Sequence, residues 1–470
     1  MKRRREKREA MRKKQQAQTK QLRIRLGLTA LVVAVCIGGI GYLAANREKL
    51  GIASAPKPTE AVAQTTEPLS PLLADPITKI HIKAAGDLNV TDSVVSSGIA
   101  ATGYDFTGVF RDVAAVLSDA ELTVMNFEGN LCGQPYGSAT TSAPIELVQA
   151  LRNAGVDILQ MANSCSINNG LNGLNSTLNA IRGAGIEPIG AYASEREFKA
   201  SKGYTIVEIQ GIRVAFVAFT KGMGGRGMPV GNENLVNLLY VDYDSEYMKI
   251  DRERITSILK AANAEKPDLT IAMIHWGSEY NDDISRTQES IVTLMQKQGV
   301  DVILGTHPHM VQPIDYDPIN GTLVAYSLGD FFGSATRAGT NYSIILDLEI
   351  TRDSTTGVTR VSDYSYTPIY TVTENESPDG YQRVVRIEKA IEAYTENYLD
   401  KVTSDCKSAM EYALTRIGQR MAVTVELECP DCGKVVEAMI STKTRTLIND
   451  ATCSKCGAVL PADSSEKDYD

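Results

Sequence analysis

Histidine is scarce in this chain, with four in 470 residues beside a single tryptophan. The fold as a whole therefore leans little on imidazole. Yet two of the four stand one residue apart, His307 and His309, in "ILGTHPHMVQ" (303–312). The second shortage is basic charge outside the first few residues. Residues 1–25 hold twelve Lys and Arg against Glu6 and Glu9, a net of +10, so with −9 for the whole chain the remainder carries −19. An acidic body lacks the basic footprint that binding to phosphate backbones requires, which argues against nucleic acid as the partner. No internal repeat is present, which excludes a solenoid.

What is present begins with "LGLTALVVAVCIGGIGYLAA", Leu26 to Ala45, twenty apolar or small residues without a charge. As a helix this run spans ~30 Å, the thickness of a bilayer's hydrocarbon core. The basic block before it belongs in the cytoplasm, so 26–45 reads as a single-pass anchor in the cell membrane with the main domain extracytoplasmic. A cleaved signal peptide is the alternative, with "ASA" at 53–55 as its cleavage site. Against it, the run exceeds a signal peptide's apolar region and Pro56 directly follows the cut.

Residues 46–76 are rich in Ala, Thr and Pro and read as a linker. From 77 to 370 short apolar runs alternate with helical stretches. Candidate strands are 79–86, 122–128, 156–163, 204–210, 212–219, 269–276, 300–306, 322–329 and 343–350; 144–154 and 285–299 read as helices. Such alternation predicts an α/β fold whose ligands gather at the carboxyl ends of the strands. Residues 371–420 read as a helical extension, with Val384, Ile387, Ile391, Tyr394 and Tyr398 at helical spacing across 381–399. A cysteine-bearing module follows at 421–460, then an acidic tail at 461–470 expected to be disordered.

Polar groups recur where the candidate strands end. "AAGDLN" supplies Asp87, "MNFEGN" supplies Asn126 and Glu128, and "QMANSCSINNG" supplies Asn163. "IHWGSEY" adds His275 and Glu279, "GTHPHM" adds His307 and His309, and "YSLGDF" adds Asp330. Carboxylate, amide oxygen and imidazole together are the donor set for a divalent cation such as Mn, Zn, Fe or Mg. In an extended segment residues i and i+2 share a face, and Pro308 biases His307 towards extension, so both rings are expected on one side. His81, inside a strand, reads as a part-buried structural residue.

In order along the chain, "GDLNV", "NFEGN", "ANSCSINNG", "HWGSEY", "GTHPHMVQPI" and "YSLGDFF" resemble the motifs of the CapA family. These are poly-gamma-glutamate capsule biosynthesis proteins related to calcineurin-like metallophosphoesterases, and the resemblance covers roughly 77–370. It implies a four-layer α/β/β/α sandwich and a metal site of Asp87, Glu128, Asn163, His275, His307 and His309. It further implies catalytic roles at Asp87, His275 and the position of Cys165, with Glu279 and Asp330 touching substrate. The sequence departs from the family pattern where Ala-Asn-Asn-His is usual and Ala162-Asn163-Ser164-Cys165 stands instead, and where Asp330 replaces Asn. Either the site is rebuilt with Cys165 and Asp330, or hydrolytic power is lost while binding remains.

Cys429 and Cys432, then Cys453 and Cys456, form two Cys-x2-Cys pairs, each followed by glycine. Four thiolates at this spacing build a closed tetrahedral zinc site resembling a zinc ribbon; a pair of disulfides is the alternative in an exported domain. Three functions stay open. The first is a metal-dependent factor for an anionic surface polymer, working with that polymer or its synthase complex. The others are a metallohydrolase of phosphoester or amide bonds, and a degraded metal-binding scaffold. The anchor reading is checked by protease added to intact cells, which should remove everything beyond residue ~50 and spare the N-terminus. A protected C-terminal domain would refute it.

Overall fold

The computed structural model describes residues 76–469, apart from 379, 398–401, 442 and 444. The basic segment 1–25, the apolar run 26–45 and the linker up to residue 75 lie outside the described residues. Among the described residues, no helix is long and apolar enough to cross a membrane.

Two sheets organise the chain. In the first, β1 (Ile77–Asn89), β2 (Leu122–Glu128), β3 (Ile158–Gln160) and β4 (Glu187–Ile189) run parallel. On the other side of β1 lie β12 (Tyr342–Asp353), β13 (Thr359–Val372) and β14 (Arg383–Arg386), all antiparallel to their neighbours. The short β11 (Asp330–Phe332) pairs with the end of β1. The second sheet runs β5 (Tyr204–Ile209), β6 (Ile212–Thr220), β7 (Leu269–His275), β8 (Val302–Thr306), β10 (Thr322–Ala325), β9 (Ile314–Asp317), with β6, β7, β8 and β10 parallel.

Every residue of β2 and β7 is buried, as expected for parallel strands covered on both faces. Side chains of a strand alternate between faces, and β6 shows what that achieves. Val214, Phe216 and Ala218 join a core shared with the first sheet. Ala215, Val217 and Phe219 instead meet α6 (Arg252–Ala264) and α7 (Arg286–Lys297) in a second core. The first sheet's core takes in Val113 and Leu117 of α2 (Thr107–Leu117), Leu147 and Leu151 of α3 (Ile145–Asn153), and Leu174 and Leu178 of α4 (Gly170–Gly183). Short helices α1 (Asp92–Ser97) and α5 (Glu195–Ser201) complete this part. The α/β reading holds.

Three boundaries move. The division expected at 370 falls inside β13, and β14 beyond it extends the same sheet, so 371–420 is part of the main domain. The helix expected over 381–399 starts only at α8 (Ile387–Thr395). The β-branched pair Val384–Val385 is buried as a strand on the open edge of β13 instead. Behind it α9 (Ser404–Arg420) buries Met410, Ala413 and Ile417 in the main core. The acidic tail is also ordered: Arg445 grips Glu466 through two hydrogen bonds of 2.8 and 2.6 Å, and Ser465 caps a short 3-10 helix, Glu466–Asp468.

Two glycines mark where the sheets' ends meet closely. A Cβ on Gly86 would lie 1.8 Å from the Gly329 carbonyl oxygen, and one on Gly305 would lie 1.9 Å from that of Tyr326. Any side chain at either place would force backbone apart. Trp276, fully buried, donates to the same Tyr326 carbonyl at 2.8 Å. His81 binds Asp347 at 2.9 Å on a partly exposed strand face, a structural pairing.

Candidate functional site

Five strand ends converge where the sheets meet. Asp87 follows a bulge in β1 and stands opposite Asn126 of β2 and Asp330 of β11. Glu128 ends β2, on the same face as Asn126. His275 ends β7 in register with Thr306, the last residue of β8, and the next turn carries His307 and His309. Asp87, Glu128, His275, His307, His309 and Asp330 are all at most 5% exposed.

The contacts lock this cluster. Asn126 Nδ2 donates to Asp87 Oδ1 at 2.5 Å, and the His307 backbone N–H donates to Asp87 Oδ2 at 2.9 Å. His309 Nδ1 lies 2.7 Å from Asp330 Oδ1, and its Nε2 lies 3.9 Å from Glu128 Oε2. His275 Nε2 is 3.4 Å from Glu128 Oε1, while its Nδ1 is 3.1 Å from Thr306 Oγ1. Three donor groups each draw within 4.8 Å: Glu128 with His275 and His307; Asp87 with His309 and Asp330; and Glu279 with His307 and His309.

Pairing decides the protonation states. Burial disfavours charge on His309, but Asp330, Glu128 and Asp87 outweigh it and raise the ring to about 11. Burial pushes Asp330 up to about 6, with His309 opposing, and raises Asp87 as well, with Glu128 adding to the rise. Burial would raise Glu128 too, but His275 and the other imidazoles hold it low. His307 is driven well below the usual imidazole value by burial and by His275, so it is neutral.

These residues fit a divalent cation. Glu128 Oε2 and His307 Nδ1 are buried with no hydrogen-bond partner. Each such atom costs about 1–3 kcal/mol when left unsatisfied. Both are metal-donor atoms, and a cation would satisfy them while balancing the buried carboxylates.

Several expectations need correction. His307 and His309 do share one pocket, their ring centroids 6.1 Å apart, but not through an extended backbone. Their φ values are +91° and +59°, so the turn itself swings both rings inward, a strained conformation held by the Asp87 bond to His307. Asn163 stands behind the cluster rather than aimed at it. Its Nδ2 donates to Asn126 Oδ1 (3.1 Å) and to the Phe127 carbonyl (2.7 Å), and its Oδ1 accepts the Cys165 N–H. Ser164, not Cys165, reaches His275, with Oγ 2.9 Å from Nε2. Burial pushes the Cys165 thiol well above its ordinary value, so it stays protonated.

The rim is polar and charged. Glu279 is exposed. Tyr280 stacks on His309 (5.5 Å, 28°), and the Arg337 guanidinium lies 3.9 Å above the Tyr280 ring. Lys221 Nζ donates to the Gly277 carbonyl at 2.6 Å. Sequence reasoning missed Ser164 and Thr306, whose only signal is adjacency to expected ligands, and gave Asn126 no role although it sits two residues before Glu128.

In the C-terminal module β15 (Ala422–Glu428) and β16 (Val435–Ser441) form a hairpin, and β17 (Ala451–Thr452) pairs with β18 (Val459–Leu460). Cys429 and Cys453 each begin a turn that closes on a positive-φ glycine, Gly433 and Gly457. The four sulfurs lie within 4.8 Å of one another, with Cys429–Cys456 at 3.5 Å and Cys432–Cys453 at 3.7 Å, and none is in a disulfide. Thiolates 2.3 Å from a tetrahedral zinc stand about 3.8 Å apart. The cluster fits such an ion.

Residues 81–334 match the family described as "Bacterial capsule synthesis protein PGA_cap". The chain is 28% identical over 275 residues to the capsule biosynthesis protein CapA of Bacillus anthracis, covering 57% of this chain and 63% of that one. It is 25% identical over 252 residues to the PGA biosynthesis protein CapA of Bacillus subtilis (strain 168), covering 53% and 62%. The chain thus spans less than two thirds of the length of either relative. Among solved structures, a novel phosphatase of Mycoplasma pneumoniae aligns with a TM-score of 0.37 at 12% identity, covering 63% of this chain and 94% of that one. A putative 5'-nucleotidase of Staphylococcus aureus aligns with 0.39 at 10% identity, covering 75% and 61%.

The protonated His309 gives a test of metal loading. A metal takes neutral imidazole, so at pH 7 binding should release at least about one proton per protein. Calorimetric titration of Mn²⁺ in two buffers of different ionisation enthalpy reads that number. Asp330→Asn, nearly isosteric, removes the carboxylate that holds the proton, so proton release and affinity should both fall. A binding enthalpy that is the same in both buffers for the unaltered chain would contradict this assignment.

Proposed function

The chain belongs to the bacterial capsule synthesis protein family, and on that premise we propose that it acts in the synthesis or export of an anionic surface polymer, poly-gamma-glutamate or a related capsule, through a divalent-cation centre. The observation that carries this reading is the buried cluster inside the family-matched segment, with Glu128 Oε2 and His307 Nδ1 placed for a cation. Glu128, His275 and His307 would hold one ion, and Asp87, His309 and Asp330 a second. Bound there, Mn, Zn, Fe or Mg would supply Lewis acidity and a lowered pKa for bound water.

The chain's own residues prepare the site. Asn126 fixes the Asp87 carboxylate, and Thr306 and Ser164 hold His275 from either side. Lys221 and Arg337 bring positive charge to a rim that an anionic substrate must approach. In this reading the two sheets and their helices form the four-layer sandwich of metallophosphoesterases, on a single-pass membrane anchor at 26–45. A second reading, a binding scaffold without turnover, is favoured by Cys165: a buried, protonated thiol at the position where the family carries an acid–base imidazole. Zinc in the four-cysteine module is the structural ion, stabilising a segment whose own apolar core is only a few residues.

Complementation decides the first reading. In a strain lacking this protein, the unaltered chain should restore surface polymer, and Glu128→Gln should reduce it by about tenfold or more at equal protein level. Full restoration by Glu128→Gln would remove the metal centre from the function. Turnover of a generic phosphoester by the purified protein separates hydrolase from scaffold. For the module, Cys429→Ser should release about one equivalent of zinc and render 421–460 protease-sensitive, with the main domain intact. A native protein with no zinc and two disulfides by thiol titration would overturn the zinc assignment.

A further inference from the structure

Away from the metal cluster, where α2, β14 and α8 meet, a cavity of about 130 Å³ is lined by Arg111, Arg383, Arg386 and Lys389. Asp112 is the one carboxylate in its wall. Four cations against one anion is an unusual local balance in a body that carries −19 beyond residue 25. Arg383 is 5% exposed, with Nε 3.5 Å from Asp112 Oδ2 and Nη1 donating to Ser377 Oγ at 2.8 Å. Arg386 Nε is buried with no hydrogen-bond partner. Arg111 also leans on Asp112, at 3.4 Å, so a single carboxylate serves two guanidiniums. Lys389 pairs with Glu392 on the exposed side of α8, a contact that an incoming anion displaces readily.

The rest of the wall is aliphatic, with Val385 and Val402 buried in it. The volume equals that of about four waters. A planar guanidinium fork matches a carboxylate, and the aliphatic wall suits a short hydrocarbon stem beside it. We infer that this pocket is a second, metal-independent binding site, and that it takes a carboxylate borne on a short aliphatic chain. A capsule polymer with one free carboxylate per repeat would present that chemistry, but the site does not depend on the metal-centre reading.

The test uses the full chain with chelator present, titrated with glutarate and, separately, with inorganic phosphate. Glutarate should bind, and Arg386→Gln should weaken it about tenfold. Lys389→Gln, at an exposed position that cannot endanger folding, should weaken it to a lesser degree. Asp330→Asn, at the metal cluster, should leave it unchanged. Equal or tighter binding of phosphate would reject the carboxylate assignment. Binding that ignores Arg386→Gln and Lys389→Gln, or that needs added metal, would reject the site.

Discussion

Three carboxylates and three imidazoles share one buried volume at the junction of two sheets, and the rest of the domain is arranged around making that tolerable. An isolated buried charge is strongly unfavourable, so each group must find an opposite charge, a proton or a metal. His309 is the pivot. Lying near Asp87 and Glu128 and bonded to Asp330, it keeps its proton and partly offsets their charge. His307, neutral beside His275, keeps a nitrogen lone pair available. The same cluster is therefore stable without an ion only as a proton store, and an ion entering it exchanges charge for charge.

That junction requires backbones to come closer than side chains permit. Gly86 and Gly305 lie where β1 and β8 pass the carbonyls of Gly329 and Tyr326, and the turn at His307 and His309 adopts positive φ at two non-glycine residues. Such conformations cost about 1–3 kcal/mol each and persist only when surroundings enforce them. Here the enforcement is visible as hydrogen bonds from Asp87 N to the Gly329 carbonyl, from His307 N to Asp87, and from Tyr280 N to the Pro308 carbonyl. Strain and ligand geometry are one feature.

Much of this was legible because it is local. Parallel strands covered on both faces must be apolar throughout, so β2 and β7 stand out, and residues just past their ends fall at the site by topology alone. The two cysteine pairs announce themselves by spacing. Helix α4 does not: "GLNGLNSTLNAIRG" is poor in helix formers, and burial of Leu174, Leu178 and Ile181 makes it helical. The run 381–399 fits both periods at first, and only the free edge of β13 selects a strand for Val384 and Val385. Within the site, the roles of Ser164, Cys165 and Asn163 depend on where side chains point in an irregular turn. No periodicity reports that.

The pairing of β1 with β12 joins the beginning of the domain to its far end, Ile77 opposite Asp353 and Lys79 bonded to Glu349, 270 residues away. During synthesis the strand that carries Asp87 emerges long before its antiparallel neighbour exists. At the pace of a ribosome that interval is on the order of tens of seconds. For all of it β1 has an open edge on that side, and Asp330 on β11 has not yet arrived to hold His309. The order of manufacture thus makes the cluster a late event: it closes only after the second sheet has been laid down, and any ion it takes up is captured by a nearly finished domain.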